Sequence, residues 1–118
     1  MDTAWNFPGQ SGEWIMISSD TEQYVSGIRI LNGYTKHSDA YEYWIYYMNH
    51  RPKDITIMFS DSTFIDVTLE DVFDEDNYIY QHIPLEVPKL TTYIKIIINS
   101  SYLGTRWDDC CITEVEVY

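Results

Sequence analysis

Five aromatic residues, Tyr41, Tyr43, Trp44, Tyr46 and Tyr47, fall within seven positions and run directly into Asn49, His50, Arg51 and Lys53. A sugar ring presents an apolar C–H face and a rim of hydroxyls, so its receptor needs a flat aromatic plate and a few fixed polar groups. The 34–51 segment supplies both. Trp44, or one of Tyr41, Tyr43, Tyr46 and Tyr47, serves as the plate, and Tyr34, Lys36, His37, Asp39, Asn49 and Arg51 engage hydroxyls. A neutral hydrogen bond adds about 0.5–1.5 kcal/mol net, so a single domain is expected to bind weakly. A second patch, "SYLGTRWDD", places Tyr102, Arg106, Trp107 and Asp108 ahead of the last strand, where Arg106 offers a planar fork and Trp107 a stacking surface. If both loops reach the same end of the fold, they line one cleft from two sides. Arg51 also has a structural alternative, an ion pair with Asp54 or Asp108. The 41–47 cluster is expected on the surface, because a thin sandwich cannot bury five rings from one connection.

Catalysis finds little support. The adjacent carboxylates Asp108 and Asp109, or Glu70 and Asp71, point to opposite faces if they lie on a strand, which does not suit paired acid–base work. His37, His50 and His82 lack ligand spacing, and no phosphate loop, nucleophile elbow or Cys–His arrangement stands out. The chain is therefore expected not to be an enzyme. Cys110 and Cys111 are neighbours, which rarely permits a mutual disulfide, and nothing basic beside them activates a thiolate. They are expected on a strand, one of them packed inward. The sequon "NSS" at 99–101 sits at a strand end and is expected to carry no function.

Charge excludes other classes of partner. Nineteen Asp and Glu against seven Lys and Arg give a net charge of -12, which repels phosphate backbones and anionic membrane surfaces. No Lys or Arg occurs between Asp54 and Pro88, where seven acids from Asp61 to Asp76 fall. A solvated acidic edge explains this, with cation binding as the alternative. No apolar run approaches the roughly 18 residues of a membrane helix, so no membrane insertion is expected. "MDTAWNFPGQ" lacks the basic and then apolar build of an export signal. At 118 residues the chain suits one domain over 1–118, which we expect to be excised from a longer protein.

The elements that must position these residues read as strands. Runs at 14–18, 24–31, 54–60, 63–69, 78–85, 92–99 and 111–118 alternate apolar and polar residues, with Asp61 and Ser62 as a tight hairpin turn. Pro84 and Pro88 mark a loop or an edge. One short helix is expected, capped by Asp39 with Glu42 three positions on and with Ala40, Trp44 and Tyr47 on one face. Many short strands without strand–helix repetition predict an all-β fold, an antiparallel β-sandwich or jelly roll.

Taken in order, "TAW", "GEWIMI", "VSGIRILNGY", "NHRPKDITIMFSD", "YLGTRWDD" and "CITEVEVY" resemble the discoidin-type (coagulation factor type C) domain of the galactose-binding-like superfamily, over nearly the whole chain. Asn-Gly-Tyr followed by Lys, Asn-x-Arg-x-Lys, Tyr-x-Gly before Asp, and a near-terminal Ile-Thr-Glu are similar to the bacterial branch called the NADase-type glycan-binding domain. The resemblance implies an eight-stranded jelly roll whose loops at one end bind a glycan without catalysis, in a secreted or surface-bound bacterial protein. It places Trp5, Trp14, Tyr34 and Tyr102 at core or loop-anchoring positions. It also implies a structural calcium held in part by Glu114, although the upstream ligands are missing from this chain; no other cofactor is expected. Two departures stand out. Asp61-Ser62 replaces the family's Asp-Gly, and the 41–47 cluster lengthens the usual connection. The rival reading is an interaction module that docks on a protein partner or on a neighbouring domain of its parent.

Overall fold

The computed structural model describes residues 5–7, 12–33, 37–38, 43–47, 49–74, 78–105 and 110–118, and for 5–7, 37–38 and 43–45 it defines the backbone. Two strands of 19 residues, β2 (Trp14–Asn32) and β8 (Tyr80–Ile98), pair antiparallel along most of their length. Their ladder is interrupted twice. Residues 19–22 of β2 stand against Thr92 alone, and residues 85–88 of β8 stand against Ser26 alone. Such bulges bend a strand and increase its twist. They lie in the middle of the ribbon, which folds over so that each half becomes the centre of one layer.

The first half, Trp14–Ser18 against Tyr93–Ile97, is extended by β6 (Asp54–Phe59) and then β7 (Phe64–Thr68). The second half, Gly27–Leu31 against Tyr80–Pro84, is extended through β2 by β10 (Cys110–Val117) and β1 (Trp5–Phe7). The result is one antiparallel sheet, ordered β1-β10-β2-β8-β6-β7. The core joins both halves: Ile28, Ile30 and Ile83 with Ile112 and Val115 from one, and Ile55, Ile57, Phe59, Ile94 and Ile96 from the other. Each such side chain contributes about 1.5–3 kcal/mol on leaving water. The expected all-β sandwich is therefore what the chain forms.

Local expectations fared unevenly. The runs 14–18 and 24–31 fuse into β2, and 78–85 and 92–99 fuse into β8, because a bulge bends a ladder where a turn would have ended it. Pro84 lies in the half of β8 whose second side has no strand among the described residues, in keeping with an edge. The hairpin forms at 60–63: Ser62 takes the left-handed φ of 68° that the missing glycine would have adopted freely. Asp61 Oδ1 accepts from the Thr63 N–H (3.0 Å), and Lys89 Nζ lies 3.0 Å from Asp61 Oδ2. These contacts hold the Asp61 carboxyl at about 2, the Thr63 bonds having the largest effect.

Three expectations are corrected. The helix is absent where the chain is described: β3 (His37–Ser38) pairs with β4 (Tyr43–Trp44), and Ile45–Tyr47 forms a single 3-10 turn; Asp39 to Glu42 lie outside the described residues. Cys110 and Cys111 are both buried, since β10 is flanked by β1 and β2 and bridged to His50. Burial raises the Cys110 thiol above its ordinary range and makes it a poor nucleophile. Trp14 is 51% exposed, with Lys95 Nζ 4.4 Å from its ring centroid, so it caps an outer face instead of filling the core.

The fold has two distinct ends. At one, the ribbon bends, the 60–63 turn docks through Ser60 N–H onto Thr91 Oγ1 (2.9 Å), and the Tyr118 carbonyl accepts from Ser26 and Gly27. At the other end meet the last residues of β2, the start of β6, the start of β10 and both termini of β8.

Candidate functional site

The second end carries the described parts of both loops singled out in the sequence, and main-chain bonds join them. β5 (Arg51–Pro52) pairs with β9 (Ser101–Tyr102), the Thr105 N–H donates to the Tyr47 carbonyl (3.0 Å), and the Gly104 N–H donates to His50 Nδ1 (2.6 Å). Residues 46–47 and 49–52 therefore form one rim with 101–105. A third segment, following β7, joins them: the Tyr102 hydroxyl donates to the Leu69 carbonyl (2.7 Å), and the Leu69 N–H to the Lys53 carbonyl (2.7 Å).

Arg51 is the centre of this arrangement. Its Nε and one terminal nitrogen donate to the two carboxylate oxygens of Asp71 at 3.1 and 2.7 Å, and its other nitrogen donates to the carbonyls of Asn49 (3.1 Å) and Leu103 (3.3 Å). The Tyr46 hydroxyl donates to Asp71 Oδ1 at 2.7 Å. Burial by itself raises the Asp71 carboxyl, but the bonds from Arg51 and Tyr46 outweigh it and hold the group below its ordinary value. Burial and the same carboxylate push the Tyr46 phenol well up. All three groups thus keep the charge states that the pairing needs.

Two rings, Tyr46 and Tyr47, flank the guanidinium, and Phe73 packs on both. Tyr46 is fully buried and stacks on Phe73 with centroids 4.6 Å apart, while Tyr47 meets both edge-on and is 50% exposed. The Arg51 Cζ lies 5.1 Å from the Tyr46 centroid and 5.5 Å from that of Tyr47. Gly33 closes the base of the site: its φ is +74°, and a Cβ there would come within 2.4 Å of Tyr46 Cε1. Asn32 Nδ2 donates to the Pro52 carbonyl (2.9 Å), and Thr113 Oγ1 to the Gly33 carbonyl (2.6 Å).

The expected ligand-holding residues therefore divide. Arg51 and Asn49 are buried, and Arg51 pairs with Asp71 and not with Asp54, because its fork points into the sandwich end; Asp108 lies outside the described residues. Tyr102 anchors a loop. Trp44 lies in β4, but its side chain, with Tyr34, Lys36, Tyr41, Arg106, Trp107 and Asp108, falls outside the described residues. The expectation of a wholly exposed tyrosine cluster is corrected at Tyr46, while Tyr47 keeps it. Asp71 and Phe73 were missed. Their signal was an isolated apolar pair, Val72-Phe73, within the acidic run 70–76.

Glu114, the residue through which the resemblance implies a calcium, accepts a hydrogen bond from the Tyr80 hydroxyl and stands beside the Arg29–Glu116 ion pair; the start of the chain, where the resemblance places the remaining ligands, lies outside the described residues. No group of three ligating side chains occurs among the described residues.

The arrangement can be set beside known proteins. The family 32 carbohydrate-binding module from Streptococcus pneumoniae EndoD superposes with a TM-score of 0.67 at 15% identity, covering 98% of this chain and 74% of that one. The Streptococcus pyogenes NAD+-glycohydrolase translocation domain does so with a TM-score of 0.64 at 22% identity, covering 99% of this chain and 98% of that one. At these identities the likeness establishes the fold. Among curated protein sequences no match is found. The sequence as a whole, residues 1–118, matches the family described as the NAD glycohydrolase translocation F5/8 type C domain, which bears out the resemblance read from the motifs, and the chain belongs to that family.

Proposed function

We propose that this chain is a non-catalytic accessory module that binds carbohydrate at the loop end of its sandwich, in a secreted or surface-bound protein. One observation carries the reading: three separate segments are locked into a single rim around the Arg51–Asp71 pair, and Tyr47 stands half exposed upon it. A rigid aromatic plate supported from below is what a sugar face requires, since a mobile ring gives up ordering entropy on binding. Support comes from the fold shared with a family 32 carbohydrate-binding module. Asp71, of the adjacent carboxylates Glu70 and Asp71, is committed to Arg51 and Tyr46 and is not poised for proton transfer.

A glycan array probed with the purified chain and with a Tyr47→Ala variant tests this reading. The expected result is retention on a restricted set of glycans, reduced about tenfold or more by Tyr47→Ala at unchanged thermal stability. Binding to no glycan, or binding that ignores the substitution, contradicts it. The second reading, docking on a neighbouring domain, is favoured by the family's association with translocation. It predicts instead a blank array and an interface with the parent protein that Tyr47→Ala weakens.

A further inference from the structure

One flank of the sandwich carries two strand edges that have no strand partner among the described residues. β7 ends the sheet order, and the first half of β8 is paired on one side only, its contacts with β6 beginning at Ile94. Between these edges lie two cavities. One, of about 390 Å³, is lined by Val67, Leu69, Val72, Ile79 and Ile83. The next, of about 380 Å³ and nearer the bend, is lined by Phe59, Phe64, Ile65, Leu85 and Val87. Both run along β7.

The register fixes which main-chain groups face outward. The Phe59 N–H donates to the Thr63 carbonyl and the Leu69 N–H to the Lys53 carbonyl, so residues 63, 65, 67 and 69 direct their main-chain groups at β6. The alternation of an antiparallel ladder then turns those of Phe64, Asp66 and Thr68 away from the sheet. Glu70 is next in this series, and its outward pair is already met: its N–H donates to Gln81 Oε1 (2.7 Å) and its carbonyl accepts from Gln81 Nε2 (2.8 Å). A side-chain amide there pairs with the edge as an added strand would.

We infer that the β7 edge is a docking site for an extended, basic peptide segment, which adds as a strand at Phe64, Asp66 and Thr68 and sets alternate apolar side chains into the two cavities. Charge selects this occupant. Asp66, Glu70 and Glu86 stand along the flank, the sequence from Asp54 to Pro88 contains no Lys or Arg, and Lys89 is paired with Asp61. A second copy of the chain is disfavoured, because two-fold pairing of β7 edges sets Asp66 near its counterpart between molecules of net charge -12. Main-chain bonds supply affinity and the cavities supply selectivity, as in other strand additions.

The test is an amide-resolved titration of the full chain with two capped eight-residue peptides, one alternating lysine and valine and the other alternating glutamate and valine. The lysine peptide is expected to shift and protect the amides of Phe64, Asp66 and Thr68, and the glutamate peptide to leave them unchanged. Asp66→Lys is expected to weaken binding at least tenfold. Asp66→Pro, tolerated because that N–H is outside the ladder, is expected to abolish it with an unchanged far-ultraviolet spectrum. No response at β7, equal binding of both peptides, undiminished binding by folded Asp66→Lys, or self-association through β7 overturns the inference.

Discussion

Arg51 and Asp71 share two hydrogen bonds at the sandwich end, and the side chain of Arg51 is 6% exposed. Removing Asp71 strands a buried guanidinium, and removing Arg51 takes from the partly exposed Asp71 both of its ion-pair bonds. Arg51→Ala is accordingly expected to cost about 2–4 kcal/mol in a denaturant melt, and Arg51→Lys a substantial part of that, because an ammonium cannot reproduce the fork. The pair also sets a pH dependence. The folded Asp71 carboxyl titrates below its ordinary value of 3.8, so its stabilisation is full above that value and is lost as pH falls through the lower folded one. Thermal melts between neutral pH and about pH 2.5 should therefore show wild type losing its advantage over Asp71→Asn only below about pH 4. At this scale the sequence was a partial guide. It offered Arg51 both a ligand and an acid partner, but the acid lay 20 positions away, and residue type alone does not report which way a guanidinium turns. Tyr46 and Tyr47 are identical in type and adjacent in sequence, yet a single 3-10 turn buries one and exposes the other.

Glycine and serine at two turns show how much an element depends on one backbone angle. Gly33 combines a left-handed φ with contact against the sealed Tyr46 ring, so Gly33→Ala meets both strain and overlap and is expected to destabilise by about 2 kcal/mol or more. Ser62 is the opposite case. Its side chain is exposed while its φ is 68°, so Ser62→Gly is expected to raise stability by about 0.5–1 kcal/mol, read as a shifted midpoint at constant slope. Both positions were visible in the sequence, one in Asn-Gly-Tyr and the other as the departure from Asp-Gly. Strand locations were visible too, from alternation such as Ile55, Ile57 and Phe59. Strand continuity was not. "SSDTEQ" and "LEVP" look like turns, and only pairing across the ribbon reveals that they are bulges within longer strands.

At the scale of the molecule, a single ribbon bent at its middle gives one end to the bend and the other to the loops. The core holds the halves together through residues such as Ile96, where truncation to Ala is expected to cost about 2–5 kcal/mol without altering the rim's geometry until the domain unfolds. All-β character, net acidity and family followed from sequence because they are sums over many positions. The meeting of residues 49–52 with 101–105 did not, since it rests on β5 and β9, two residues each. The central claim is that this loop end binds carbohydrate. Its most direct test is an amide-resolved titration with a panel of mono- and disaccharides. Shifts confined to residues 46–51, 70–73 and 101–105 are expected for at least one sugar; shifts for none, or shifts centred on the bend at 60–63 and 85–92, would show that this end does not bind carbohydrate.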